Sequence, residues 1–300
     1  MVREDEAAKI AEAVIAWFER EARELPWRGK SAGDIDPWAV LVSEFMLQQT
    51  QASRVIAPFE AWMSRWPKPS DLAAEAPGEA VRAWGRLGYP RRALWLHRAA
   101  VQLATVHGDE VPRDVNTLLA LTGIGPYTAR AVASFAFSLR EPVVDTNTRR
   151  VLARLVRGEA AAGSPGPRDL TEMEALLPLD PVRARHFNAA TMELGATLCT
   201  ARNAQCSACP ISQWCQWRGA GFPNNAPTVR RQAAFQGSDR QVRGRIMALL
   251  RGANAPIPDA VALAAGAEGG VRDAQQPQRA YDSLIADGLI VESNGFVRLP

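Results

Sequence analysis

The chain has 300 residues, 47% hydrophobic and 22% charged, which supplies the cores of two or three compact units rather than one. Its charged start, MVREDEAAKI, and its longest near-apolar run, AVASFAFSL at 131–139, argue against an export leader and against a bilayer-spanning helix. The net charge of +3 permits nucleic-acid binding without requiring it, and because lysine occurs only at Lys9, Lys30 and Lys68, arginine carries the positive charge.

In chain order, residues 5–22 space Ile10, Val14 and Phe18 at helical intervals and predict an amphipathic helix. SEFMLQQT, at 43–50, follows: an apolar run that contains Glu44 and ends in Gln48 and Gln49. Helical patterning then dominates to about residue 218. Gly-, Pro- and Asp-rich breaks fall at 26–37, 66–70, 87–92, 107–114 and 158–168. No strand alternation and no fixed-period repeat occurs in this region. At 118–131, LLALTGIGPYTARA places Gly123, Ile124 and Gly125 between an apolar helix end and a new helix start. Such a turn presents backbone amides beside a positive helix end and can hold a phosphate, although it also serves as a plain connection. In PVVDTNTRRVLARL an apolar segment ends at Asp145 and an arginine-rich helix begins; aspartate is a good N-cap there, and capping does not exclude chemistry.

Cys199, Cys206, Cys209 and Cys215 follow the spacing C-x6-C-x2-C-x5-C. With no export signal, disulfides are disfavoured. One close pair flanked by more distant single cysteines favours a 4Fe-4S cluster over a zinc site, which usually brings two close pairs. Trp214 and Trp217 could shield such a cluster from water, and ordinary packing explains them as well. Residues 219–238 read as a linker. Beyond it, 239–251 and the segment QQPQRAYDSLIADGL predict helices, and IVESNGFVRLP predicts a hairpin turned at Asn294-Gly295, together a small winged-helix-like module over 239–300.

Taken together, LPWR, SEFMLQQTQ, GLGY, LTGIGPYTARA, VVDTNTRRVLAR, FNAATMELGATLCT and the cysteine spacing, between residues 24 and 218, resemble the helix-hairpin-helix DNA glycosylases of the endonuclease III superfamily. The nearest likeness is to the A/G-specific adenine DNA glycosylases. The resemblance implies a mainly α, two-domain fold. Residues 31–141 would form a helical barrel domain with the helix-hairpin-helix, and 1–30 with 142–218 the iron-sulfur cluster domain. It implies base excision repair by a monomer acting on double-stranded DNA with an A:G or A:8-oxoG mispair, in the cytoplasm at the nucleoid and with no membrane partner.

The resemblance also assigns residues. Glu44 matches the family's general acid, which protonates adenine so that it can leave; its apolar neighbours Leu41, Phe45 and Leu47 would raise its pKa. Asp145 matches the carboxylate that stabilises positive charge on the sugar, with Tyr127 and Asn147 assisting. Trp27, Arg28, Leu47 and Glu193 match positions around the adenine pocket. For DNA binding, Gln49 and Tyr89 match residues that enter or support the distorted stack, Gln48 and Thr50 belong to the same segment, and Gly123, Ile124 and Gly125 match the phosphate anchor.

This chain also departs from the family. Bifunctional members form a Schiff base with a hairpin lysine; Tyr127 stands at that position and no lysine follows Lys68, which predicts a monofunctional glycosylase. Residues 239–300 are too short for the Nudix-like domain that many adenine glycosylases carry, so strong dependence on 8-oxoguanine is not expected. Pro90 replaces an aromatic residue often found after the tyrosine. The competing readings are a thymine or uracil mismatch glycosylase, which Glu44 disfavours, and an inactive DNA-binding or redox-sensing homologue, which intact Glu44 and Asp145 disfavour.

Overall fold

The structure is a computed structural model that describes residues 3–29, 35–224 and 234–300; the expected boundary at 30/31 and the middle of the expected 219–238 linker lie outside the described residues. It is mainly helical. The helices are α1 (Glu4–Glu21), α2 (Pro37–Leu47), α3 (Ala52–Arg65), α4 (Pro69–Ala73), α5 (Pro77–Trp84), α6 (Arg91–Val106), α7 (Val115–Leu119), α8 (Pro126–Phe137), α9 (Thr146–Leu152), α10 (Pro167–Leu176), α11 (Pro181–Thr197), α12 (Gln216–Gly219) and α13 (Asp239–Gly252). The chain then continues through β1 (Ile257–Pro258), α14 (Asp259–Ala267), α15 (Gln276–Ala286), β2 (Val291–Ser293) and β3 (Phe296–Arg298). Two compact units emerge: Met1–Glu44, Pro112–Ala120 and Ile124–Val229 in one, and Phe45–Val111, Leu121–Gly123 and Arg230–Pro300 in the other.

The first unit is built on α1, α9, α10 and α11. Ile10, Val14 and Trp17 recur every three or four residues along α1, so they share one face and bury it among Leu152, Met173, Phe187 and Leu194. Helix α9 runs into a π-helical turn, Ala153–Arg157, which ends at Gly158. Helix α11 approaches the start of α9 at Gly195, where a Cβ would lie 2.7 Å from the Asn147 carbonyl oxygen. Only glycine permits that crossing.

In the second unit Trp62 packs edge-on against Trp66 and Trp84, with ring centroids 4.6 and 5.7 Å apart. Phe45, Leu72, Leu96 and Leu103 are fully buried in the same unit. Each such side chain contributes roughly 2 kcal/mol by leaving water.

The terminal segment of this unit contains α13, α15 and a hairpin whose turn residues, Asn294 and Gly295, have φ of 53° and 76°, as a two-residue turn of this hand requires. The sequence reading missed α14 and β1. Alanine-rich DAVALAAGA lacks a clear apolar period, and β1 is defined only by its partner, in a three-stranded antiparallel sheet of order β1-β3-β2 with Ile257 opposite Val297. The segment rests on α5: the Gly78 N–H donates to the Pro300 carbonyl at 2.7 Å, Arg251 Nε to Val81 O at 3.2 Å, and Arg82 in return to Arg251 O. No described helix is long and apolar enough to cross a membrane.

Candidate active site

Helix α2 begins where Pro37 fixes the backbone and Asp36 accepts a hydrogen bond from the Trp38 N–H at 2.9 Å. Its sequence, PWAVLVSEFML, is apolar on nearly every side, which leaves Glu44 6% exposed. Burial pushes the Glu44 carboxyl up, the negative charge of Asp145 pushes the same way, and a hydrogen bond from the Tyr127 hydroxyl opposes them; the outcome is about 7. Tyr127 lies in the first turn of α8. Burial, with Glu44 and Asp145 beside it, raises its phenol well above the usual range and keeps it a neutral donor. A carboxylic acid that holds its proton near neutrality is what the protonation of a leaving base demands.

Asp145 is the N-cap of α9. Its Oδ1 accepts from the Thr148 N–H at 2.7 Å and its Oδ2 from Asn147 Nδ2 at 2.8 Å, so both oxygens are fixed by N–H donors. Asn147 Oδ1 accepts from Arg150 Nη2 at 2.9 Å, and Arg150 also donates to the carbonyls of Gly195 and Cys199, both at 2.6 Å. Buried Asn188 fixes the strand-like approach to Asp145: it accepts from the Val143 N–H at 3.1 Å and donates to Ser134 Oγ at 2.9 Å and Glu141 O at 2.8 Å. Neither Arg150 nor Asn188 was among the expected site residues. The arginine-rich start of α9 and the FNAATMELG run were the signals available.

The remaining expected residues are distributed differently. Glu193 is 1% exposed and accepts from Arg23 Nε at 2.5 Å and Nη2 at 2.9 Å, and from Arg28 Nη2 at 2.8 Å. Burial would raise its carboxyl, but these guanidiniums more than offset it and hold it below the usual range. Arg28 also lies 5.1 Å from the Phe18 ring centroid. Glu193 and Arg28 thus tie α11 to the loop after α1, with half-buried Trp27 beside Arg28 in that loop.

Leu47, Gln48 and Thr50 are half-buried where α2 ends, whereas Gln49 and Tyr89 are exposed and adopt φ of 55° and 45°. Gly123 has φ of 81°, and a Cβ there would lie 2.6 Å from Trp95 Cβ, so the turn is closed to any other residue. Thr122 N–H donates to Gln102 Oε1 at 2.8 Å just before it. Ile124 is buried, while Gly123 and Gly125 are exposed, Gly125 as the N-cap of α8.

The four cysteines form no disulfide with one another, are half-buried and line one cavity with Leu198, Trp217 and Arg154. Burial raises the thiols of Cys206, Cys215 and Cys209, the last to about 11, and the neighbouring sulfurs add to it. No group of three or more side chains stands at coordinating geometry among the described residues. The donor set nevertheless fits an iron-sulfur group, because four thiols of one loop surround a single, largely apolar cavity in which a cationic centre would replace their protons. Trp217 lines the cavity and stacks on Arg154 at 4.4 Å, whereas Trp214 packs into the core of the first unit.

A sequence signature of the HhH-GPD superfamily of base excision DNA repair proteins matches residues 42–170. The chain is 49% identical over 289 residues to an adenine DNA glycosylase of Mycobacterium tuberculosis (strain CDC 1551 / Oshkosh), covering 96% of this chain and 92% of that relative. Among solved structures, a thermostable thymine-DNA glycosylase matches with a TM-score of 0.64 at 25% identity, covering 71% of this chain and 97% of that one. A trapped covalent intermediate of endonuclease III with DNA matches with a TM-score of 0.62 at 20% identity, covering 74% of this chain and 100% of that one, a likeness of fold.

Proposed function

Because the chain belongs to the adenine DNA glycosylases of the HhH-GPD superfamily, we propose that it hydrolyses adenine mispaired with guanine or 8-oxoguanine from duplex DNA, without cutting the strand. The observation that carries this reading is Glu44: a buried acid with a pKa of about 7 that shares the neighbourhood of Tyr127 with Asp145.

The base must first leave the stack, at a cost of a few kcal/mol. Gln49 and Tyr89 enter the space it vacates, and the amides of Gly123 to Gly125 hold a backbone phosphate. Glu44 then gives its proton to a ring nitrogen of adenine, which leaves as a neutral base. Positive charge develops on the sugar, the Asp145 carboxylate opposes it electrostatically, and water attacks C1′ while its proton passes to Glu44, which the first step left as a carboxylate. Tyr127 orients Glu44, and Asn147 orients Asp145. The lack of any lysine after Lys68 removes the usual Schiff-base nucleophile, which supports monofunctional hydrolysis.

Cys199, Cys206, Cys209 and Cys215 hold a 4Fe-4S cluster in this reading. When bound, it supplies a rigid cross-link for the 199–215 loop. Iron and acid-labile sulfide in the purified protein, both lost in Cys209→Ser, test that assignment; a zinc-loaded, colourless protein would overturn it.

The test of function is single-turnover base release from duplexes containing A:8-oxoG, A:G, G:T and G:U. Release of adenine alone is expected. Release confined to thymine or uracil, or no release at all, would overturn the reading in favour of a pyrimidine-mismatch enzyme or a binding protein.

A further inference from the structure

Arg92 is 3% exposed, yet among the described residues its hydrogen-bond partners are carbonyls and a hydroxyl rather than a carboxylate. Burying a guanidinium without a counter-charge is costly. A folded chain keeps such a group where its donors perform work that an apolar side chain cannot.

That work is visible in the partners. Nη1 donates to the carbonyls of Phe45 at 2.6 Å and Met46 at 3.3 Å, which the end of α2 leaves open. Nη2 donates to Thr50 Oγ1 at 3.3 Å and to Gly88 O at 3.2 Å. The guanidinium also lies 5.2 Å from the Trp84 ring centroid and 5.8 Å from that of Tyr89. Two further bonds brace the same place: Thr50 Oγ1 reaches Leu87 O at 3.3 Å, and Trp84 Nε1 donates to Gly88 O at 2.9 Å. One planar fork therefore joins the segment after α2 to the turn before α6.

Each joined segment carries one exposed, non-glycine residue with positive φ, Gln49 at 55° and Tyr89 at 45°. Such conformations are strained for residues with a side chain and persist where the surroundings enforce them. Arg92 donates into both segments, to Phe45, Met46 and Thr50 in the one and to Gly88 in the other.

We propose that Arg92 is a positioning residue that locks Gln49 and Tyr89 into a single preformed wedge, so that both enter the duplex in one step. The inference rests on the reading of these two residues as the ones that enter the stack. A lysine cannot replace the arginine, because an ammonium group cannot span both segments in the fixed geometry of a fork.

The experiment compares Arg92→Met, Arg92→Lys, Gln49→Ala, Tyr89→Ala and the double variants of Arg92→Met with each alanine. Two substrates are used: a duplex A:G mispair with 2-aminopurine beside the adenine, and the same strand with the adenine in a single-stranded gap, where no unstacking is needed. Base extrusion is followed by fluorescence and adenine release by single turnover. Arg92→Met is expected to slow extrusion and release from the duplex about tenfold or more with affinity for the duplex retained, and to release adenine from the gap at the wild-type rate. Arg92→Lys is expected to recover little. Adding Gln49→Ala or Tyr89→Ala to Arg92→Met should cost less than either alanine costs alone, as coupled residues do. Equal slowing on both substrates, or fully multiplicative double variants, would overturn the proposal and leave Arg92 a general stabiliser. If Arg92→Met does not fold, Arg92→Lys carries the same comparison. Normal extrusion by Gln49→Ala and Tyr89→Ala would instead overturn the wedge reading itself. Loss in both of these, with normal extrusion by Arg92→Met, would overturn only the role of Arg92.

Discussion

Asn147 holds Asp145 from the side, donating its amide N–H to Oδ2 at 2.8 Å while its own carbonyl accepts from Arg150 at 2.9 Å. The backbone N–H of Thr148 takes the other oxygen at 2.7 Å. The carboxylate is therefore oriented by the first turn of the helix that it caps, through the Asn147 side chain and the Thr148 backbone. Replacing Asn147 by Ala is expected to lower the single-turnover rate of adenine release by about 10- to 100-fold through misorientation, with binding of a duplex bearing a non-cleavable adenine analogue retained. Equal losses in binding and rate would argue for local unfolding instead.

Glu44 gives a prediction with a defined sign. Its carboxyl rises from the ordinary value of 4.5 to about 7 in the fold, so the folded state binds the proton more tightly than the unfolded chain. The contribution of Glu44 to stability is fully present below pH 4.5 and is lost as pH rises through about 7. Glu44→Gln removes the titration. Its stability relative to wild type should thus increase between pH 5 and pH 8, by up to about 3 kcal/mol, as read by denaturant unfolding at each pH. The same variant should not release adenine, and the wild-type rate should decline as pH passes about 7.

Gly195→Ala tests the crossing of α11 and α9. The added Cβ would lie 2.7 to 2.8 Å from backbone and side-chain atoms of Asn147, so the start of α9 must shift. A loss of roughly 1–3 kcal/mol in unfolding free energy is expected, together with slower adenine release by the molecules that remain folded. A stability loss with an unchanged rate would separate the crossing from the alignment of Asp145.

Gly78→Ala tests the clasp between α5 and the terminal segment. A Cβ there would lie 2.5 Å from the Pro300 carbonyl oxygen, and the hydrogen bond from Gly78 would be displaced. Unfolding should become easier by about 1–3 kcal/mol, and limited proteolysis should cut first within residues 239–300. Unaltered cleavage kinetics would show that the clasp adds nothing to the stability of that segment.

Much of the carboxylate centre was legible in the sequence. An acid inside an all-apolar helix has few ways to avoid burial, and an aspartate between an apolar segment and a helix start is an N-cap, so the burial of Glu44 and the capping by Asp145 followed from patterns of a few residues, while their chemical roles came from the family resemblance. The helices of α1, α13 and α15 and the Asn294-Gly295 turn are similarly local. What escaped the sequence were the side chains that act at long range. Arg150 reads as one arginine among many, yet it links Asn147 to carbonyls 45 and 49 residues away. Arg92 looks like a surface arginine in LGYPRR and is buried.

The sequence by itself determined the helical periods, the caps and the four-cysteine spacing, because each depends on neighbours within a turn or two; the roles of Glu44 and Asp145 were implied by the family resemblance. The tertiary structure alone decided that Glu193 pairs with Arg23 and Arg28, that Glu44 lies close enough to Tyr127 and Asp145 to hold its proton near neutrality, and that the segments carrying Gln49 and Tyr89 share one guanidinium through Thr50 and Gly88. The physical reason is that desolvation and charge–charge energies depend on distance through space, which the order of residues along the chain does not specify.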